Sequence, residues 1–119
     1  MKEDLDCVHK ELIDLVRSGM LVLVEGKRDQ ESLKSLGFSN IMIIDTHMDE
    51  IASRIASQTK TCAILTDLDP AGRCVYSKIK RYIEARGVKV NDGLRRTLLV
   101  SSRLRNIEGL HRYLVSHGF

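Results

Sequence analysis

Apolar positions along the chain follow two alternating rhythms. Over residues 3–17, Leu5, Val8, Leu12, Leu15 and Val16 recur three and four apart, the period of one helix face, and Ser18-Gly19 supplies a stop. Residues 20–24 then form an unbroken apolar run of strand length. Gly26 breaks it, and a helix is expected over 28–36 with Gly37 as its cap. The same alternation continues with a strand over 41–44, a helix over 48–57 carrying Ile51, Ala52, Ile55 and Ala56 on one face, and a strand over 61–66. A longer helix follows over 70–86 with Val75, Ile79, Tyr82 and Ile83 inward. Residues 88–90 read as a short strand, 96–100 as a better one, and 107–117 as a closing helix. Strands that are apolar on both faces and alternate with helices imply parallel pairing, because each crossover helix must cover a sheet face. The expected architecture is a small doubly wound α/β domain with a mainly parallel sheet of four or five strands and helices on both faces.

The length of 119 residues leaves room for one domain, residues 1–119, with 1–18 as an N-terminal helix and 20–100 as the core. A hydrophobic content of 43%, one proline and eight glycines exclude a low-complexity or disordered chain. The net charge of +3 is unevenly spread. Residues 1–60 carry eight Lys/Arg against eleven Asp/Glu, or −3, and residues 61–119 carry eleven against five, or +6. That basic half either solubilises helices or faces a polyanion. Cys7, Cys62 and Cys74 lack metal-finger spacing, and Cys62 and Cys74 read as small buried or half-buried thiols of a reducing compartment. No run approaches the roughly 20 apolar residues that span a bilayer, and the N-terminus is acidic, so a cytoplasmic protein without a membrane partner is expected.

Two strand ends carry the candidate chemistry. LVLVEGKRD, residues 21–29, runs from four apolar residues into Glu25, and AILTDLDPAGR, residues 63–73, ends another apolar run on Asp67 and Asp69. Ligand sites of doubly wound sheets lie beyond the carboxyl ends of the strands, where the winding reverses. If the first and third strands are neighbours, the three acids converge, and hard oxygen donors without nearby His or Cys favour magnesium. Each acid also has a simpler reading. Asp69 before Pro70 suits a helix N-cap, and Glu25 could be a turn residue paired with Lys27 or Arg28. Asp29 reads as a cap of the helix that follows, with outer support of a metal as the alternative. His47, His111 and His117 form no constellation.

The two turns together, Val24-Glu25-Gly26-Lys27-Arg28-Asp29 and Asp67-Leu68-Asp69-Pro70-Ala71-Gly72, resemble the motifs of the Toprim domain, the module of topoisomerases, primases and small nucleases. The resemblance spans residues 20–100. It implies a Rossmann-like parallel sheet, one or two magnesium ions that manganese can replace, and action on nucleic-acid phosphodiesters. It assigns metal binding to Asp67 and Asp69, and acid/base or metal-ligand duty to Glu25. Lys27 would stand near the same edge, and Arg73, Arg95, Arg96, Arg103 and Arg105 are candidate phosphate contacts. Tyr76, Tyr82 and Tyr113 fall in expected helices, which disfavours a topoisomerase nucleophile, and nothing supplies a primase's zinc-binding part. Overall shape is similar to stand-alone small Toprim proteins and to the Toprim ribonuclease that matures ribosomal RNA, to which Ser101–Leu110, with Glu108, bears a loose likeness. The leading expectation is an RNA-processing nuclease, RNA being favoured over DNA. The alternatives are a non-catalytic nucleic-acid-binding module with a protein partner and a receiver-like phosphoacceptor domain with Asp67 as acceptor.

Overall fold

In the computed structural model, which describes residues 2–44 and 47–118, the apolar runs at Leu21–Val24 (β1), Ile41–Ile43 (β2) and Thr61–Ile64 (β3) are strands, joined by a short edge strand Lys89–Asn91 (β4). The helices are Lys2–Ser18 (α1), Lys27–Ser35 (α2), Met48–Gln58 (α3), Pro70–Glu84 (α4), Gly93–Ser101 (α5) and Leu110–Ser116 (α6), with a 3-10 turn at Ile107–Gly109. All four strands are parallel, in the order β2-β1-β3-β4, with Val22 opposite both Ile41 and Ala63.

Every residue of β1 is buried because alternate side chains enter two separate cores. Val22 and Val24 pack with Leu12, Leu33, Leu98 and Leu114 beneath α1, α2, α5 and α6. Leu21 and Leu23 pack with Ile51, Ile55, Ile79 and Ile83 beneath α3 and α4. The chain leaves β1 through α2 on one face to reach β2, then crosses through α3 on the other face to reach β3 on the opposite side of β1. The winding therefore reverses between β1 and β3, and their carboxyl ends form the switch point.

The expected strand at 96–100 is instead the second half of α5. Thr97-Leu98-Leu99-Val100 has strand propensity, but Leu94 and Leu98, four apart, enter the core and α5 packs along α1. Among the described residues the sheet accordingly has four strands, the smaller of the two expected numbers. Elsewhere the punctuation follows the residue types. Gly37 takes φ 103° after α2, and Phe38 N–H donates to Leu33 O at 3.1 Å, closing the helix with a left-handed residue that glycine adopts without strain. Cys62 is buried, and burial pushes its thiol up to about 11, whereas Cys74 is exposed on α4 rather than half-buried. Among the described residues, no helix is long and apolar enough to cross a membrane.

Candidate functional site

Glu25 directly follows β1 and Asp67 lies three residues beyond β3, so neighbouring strands deliver two carboxylates to one edge. Their side chains build that edge as well as charging it. Glu25 Oε2 accepts from the backbone N–H of Asp67 at 2.8 Å, tying the end of β1 to the end of β3. Asp67 Oδ1 accepts from Ile107 N–H at 2.9 Å, and Leu68 N–H donates to Arg105 O at 2.7 Å, so the segment before α6 is fixed across the same edge. Asp69 Oδ1 accepts from Gly72 N–H at 2.7 Å and caps α4, whose first residue is Pro70. Each of the three acids thus gives one oxygen to a backbone amide, which fixes its orientation. Its other oxygen has no hydrogen-bond partner among the described residues.

The tightness of the second turn explains Gly72. A Cβ there would stand 2.0 Å from the carbonyl oxygen of Asp67, well inside contact distance and against backbone that cannot yield. The buried Thr66 hydroxyl closes the turn by donating to Gly72 O at 2.7 Å.

Two acids outside the predicted set stand close enough to act on this edge. Asp29 is buried, its Oδ2 accepting from Gly26 N–H at 3.0 Å, so it does cap α2 as expected. Burial first, then the charges of Asp67, Glu25 and Glu108, raise its carboxyl from the ordinary 3.8 to about 6, while the Gly26 bond opposes them. Sequence supplied the position of Asp29 as a cap. Its burial, and the proximity of Glu108 from 79 residues later, depend on tertiary packing of the Ile107–Gly109 turn against α2.

Arg95 departs from expectation. Read as an outward phosphate contact, it is only 3% exposed, because α5 turns it inward beside Leu94 and Leu98. Its guanidinium donates to Thr66 O at 2.6 Å and to Asp67 O at 3.0 Å, with its carbon 4.4 Å from the centre of the Tyr76 ring. Desolvation lowers its pKa, and the charge of Arg73 adds to that, against Tyr76, Glu25 and Asp67. It is a clamp on the acidic turn. The other cations remain at the surface: Lys27 opens α2, Arg73 sits in the first turn of α4, Arg96 pairs with Asp92, and Arg103 and Arg105 lie between α5 and the 3-10 turn. His47 precedes α3 without a side-chain cap bond, and Tyr76, Tyr82 and Tyr113 all lie on helices.

Among the described residues, no three Asp, Glu, His or Cys side chains are arranged to hold a metal ion. The donor chemistry nonetheless fits a hard cation, since magnesium commonly takes only one or two carboxylates and completes its octahedron with water and substrate phosphate. Glu25 and Asp67, each with an unengaged oxygen on one edge, match that mode more closely than an all-protein cage.

A UPF0292 protein of Methanocaldococcus jannaschii is 37% identical over 98 residues, covering 78% of this chain and 77% of the relative. The chain belongs to the UPF0292 family. A UPF0292 protein of Pyrococcus abyssi is 36% identical over 109 residues, covering 87% of this chain and 82% of its own, and one of Methanosarcina barkeri is 31% identical over 116 residues, covering 94% and 81%. No family model matches the chain. A solved structure of a putative protein from Aquifex aeolicus superposes with a TM-score of 0.74 over 91% of this chain and 95% of that one, at 24% identity, a likeness of fold.

Proposed function

We propose that this UPF0292 protein is a magnesium-dependent phosphodiesterase acting on nucleic acid, RNA in preference to DNA. The observation that carries the reading is the convergence of Glu25 and Asp67 at the switch point, with the Glu25 carboxylate held on the Asp67 amide at 2.8 Å. The likeness of the two turns to Toprim motifs supplies the substrate class. Glu25, Asp67 and the outer oxygen of Asp69 would hold the cation, or two, and manganese would substitute. When bound, the metal supplies charge stabilisation at the phosphate and a water of lowered pKa. The chain's own part is positional. The Asp67 amide orients Glu25, whose other oxygen would either share the metal or accept a proton from the attacking water. Arg95 fixes the Thr66 and Asp67 carbonyls so that the Asp67 side chain keeps its direction. Lys27, Arg73, Arg96, Arg103 and Arg105 would meet backbone phosphates and contribute salt dependence rather than base specificity.

Single-turnover cleavage of structured RNA, single-stranded RNA and DNA tests this directly. Glu25→Gln and Asp67→Asn are each expected to lower the metal-dependent rate by roughly a hundredfold or more. Unchanged rates in both variants would refute the catalytic reading. A non-catalytic nucleic-acid-binding module within a larger complex is the second reading, favoured by the lack of a preassembled three-acid metal group among the described residues. Tight binding with no turnover on any polymer would select it.

A further inference from the structure

Beside the acidic turn, α4 and α5 leave an open cleft of about 410 Å³ walled by Arg73, Tyr76, Ser77, Arg95 and Arg96, with Leu99 at its apolar side. Three arginines face one carboxylate there, that of Asp92. The Asp92–Arg96 pair is four residues apart on an exposed helix face with Arg96 70% exposed, a pairing that solvent screens and that a stronger anion can displace. Arg73 has no ion pair among the described residues, and its charge bears on Arg95, whose own charge Glu25 and Asp67 offset in part, so Arg73 is the cation of the cleft left without a paired carboxylate. The floor is rigid. Arg95 is held by two carbonyl bonds and lies against the Tyr76 ring, so its positive charge cannot swing away into solvent. The volume lies within the range of small-ligand sites and suits a single phosphate with its sugar.

We propose that the α4–α5 cleft is a phosphodiester-binding subsite that holds the polynucleotide strand next to the acidic turn. The inference rests on the nucleic-acid reading above and extends it by giving the strand a path. Arg73 and Arg96 are the mobile donors, forked groups suited to two oxygens of one phosphate. Arg95 supplies fixed charge from below rather than a contact. Because Arg95 also holds the Asp67 carbonyl, a strand seated in the cleft is placed in register with the acids.

The test is fluorescence anisotropy of a short end-labelled single-stranded RNA in EDTA, so that binding is read without metal or turnover. Arg73→Gln/Arg96→Gln is expected to weaken binding by about tenfold or more and to reduce the salt slope by roughly one, while the paired lysine variant restores the salt slope but only part of the affinity, since an ammonium lacks the fork. Arg54→Gln, an exposed control on α3, is expected to change affinity less than about twofold. Equal affinity of the double variant and wild type overturns the subsite while leaving the metal-dependent chemistry standing. If wild type binds inorganic phosphate and the double variant does not, yet both bind RNA equally, the cleft is a small-anion site and the proposal is likewise overturned. Failure of wild type to bind RNA or DNA overturns both this subsite and the nucleic-acid reading.

Discussion

At the scale of single residues, Glu25, Asp67 and Asp69 each spend one carboxylate oxygen on a backbone amide and keep the other without a hydrogen-bond partner among the described residues. Asp29 stands apart, because it is buried among like charges and its carboxyl rises to about 6. A native value above the unfolded one means that the folded chain binds more protons between about pH 4 and 6, so this group's contribution to stability falls as pH rises through that window. Above pH 6 the whole penalty is present. Asp29→Asn keeps an acceptor for the Gly26 amide and removes the charge, so the variant is expected to be more stable than wild type at pH 7 by between about 1 and 3 kcal/mol. That advantage should shrink at pH 5. Urea denaturation of both proteins at the two pH values checks it, and a variant no more stable than wild type at pH 7 contradicts the assignment.

At the scale of elements, the strands and most helices were legible because their periods differ. Continuous apolar runs marked β1 and β3, and spacings of three and four marked α1, α3 and α4. The element misread was α5, whose TLLV segment favours a strand locally while Leu94 and Leu98 pack as a helix against α1. That error hid Arg95, since only a helix puts it on the same side as those leucines. Its partners, the carbonyls of Thr66 and Asp67, lie 29 and 28 residues away and leave no local trace. Asp69 was legible as a cap from the following proline, and Gly72 from its place in the motif, although the 2.0 Å approach that demands glycine is a tertiary fact. The clamp predicts that Arg95→Met, which retains the apolar stem, costs about 2 to 4 kcal/mol by leaving carbonyls unpaired. Amide exchange should accelerate through the 66–72 turn more than in α3. Stability within about 0.5 kcal/mol of wild type would argue that the guanidinium merely fills space.

At the scale of the molecule, strand order does what no single motif can. Winding β2 and β3 onto opposite sides of β1 makes β1 and β3 neighbours, and their carboxyl ends bring Glu25 and Asp67 together across 42 residues of sequence. From the basic second half of the chain, Arg95 and the backbone of Arg105 bond the Asp67 turn, and Arg73 lies one turn into the helix that follows it. A polyanion attracted by the arginines would meet carboxylates at the centre unless a cation stands between them, which is the electrostatic argument for metal at this place. Manganese offers the most direct test, because its unpaired electrons broaden nearby amide resonances. Substoichiometric manganese added to isotopically labelled protein is predicted to erase the signals of Glu25, Gly26, Asp67 and Leu68 before others, and to lose that selectivity in Asp67→Asn. Uniform broadening, or selective broadening at another acidic surface such as Glu31 in wild type, would contradict a cation site at the switch point.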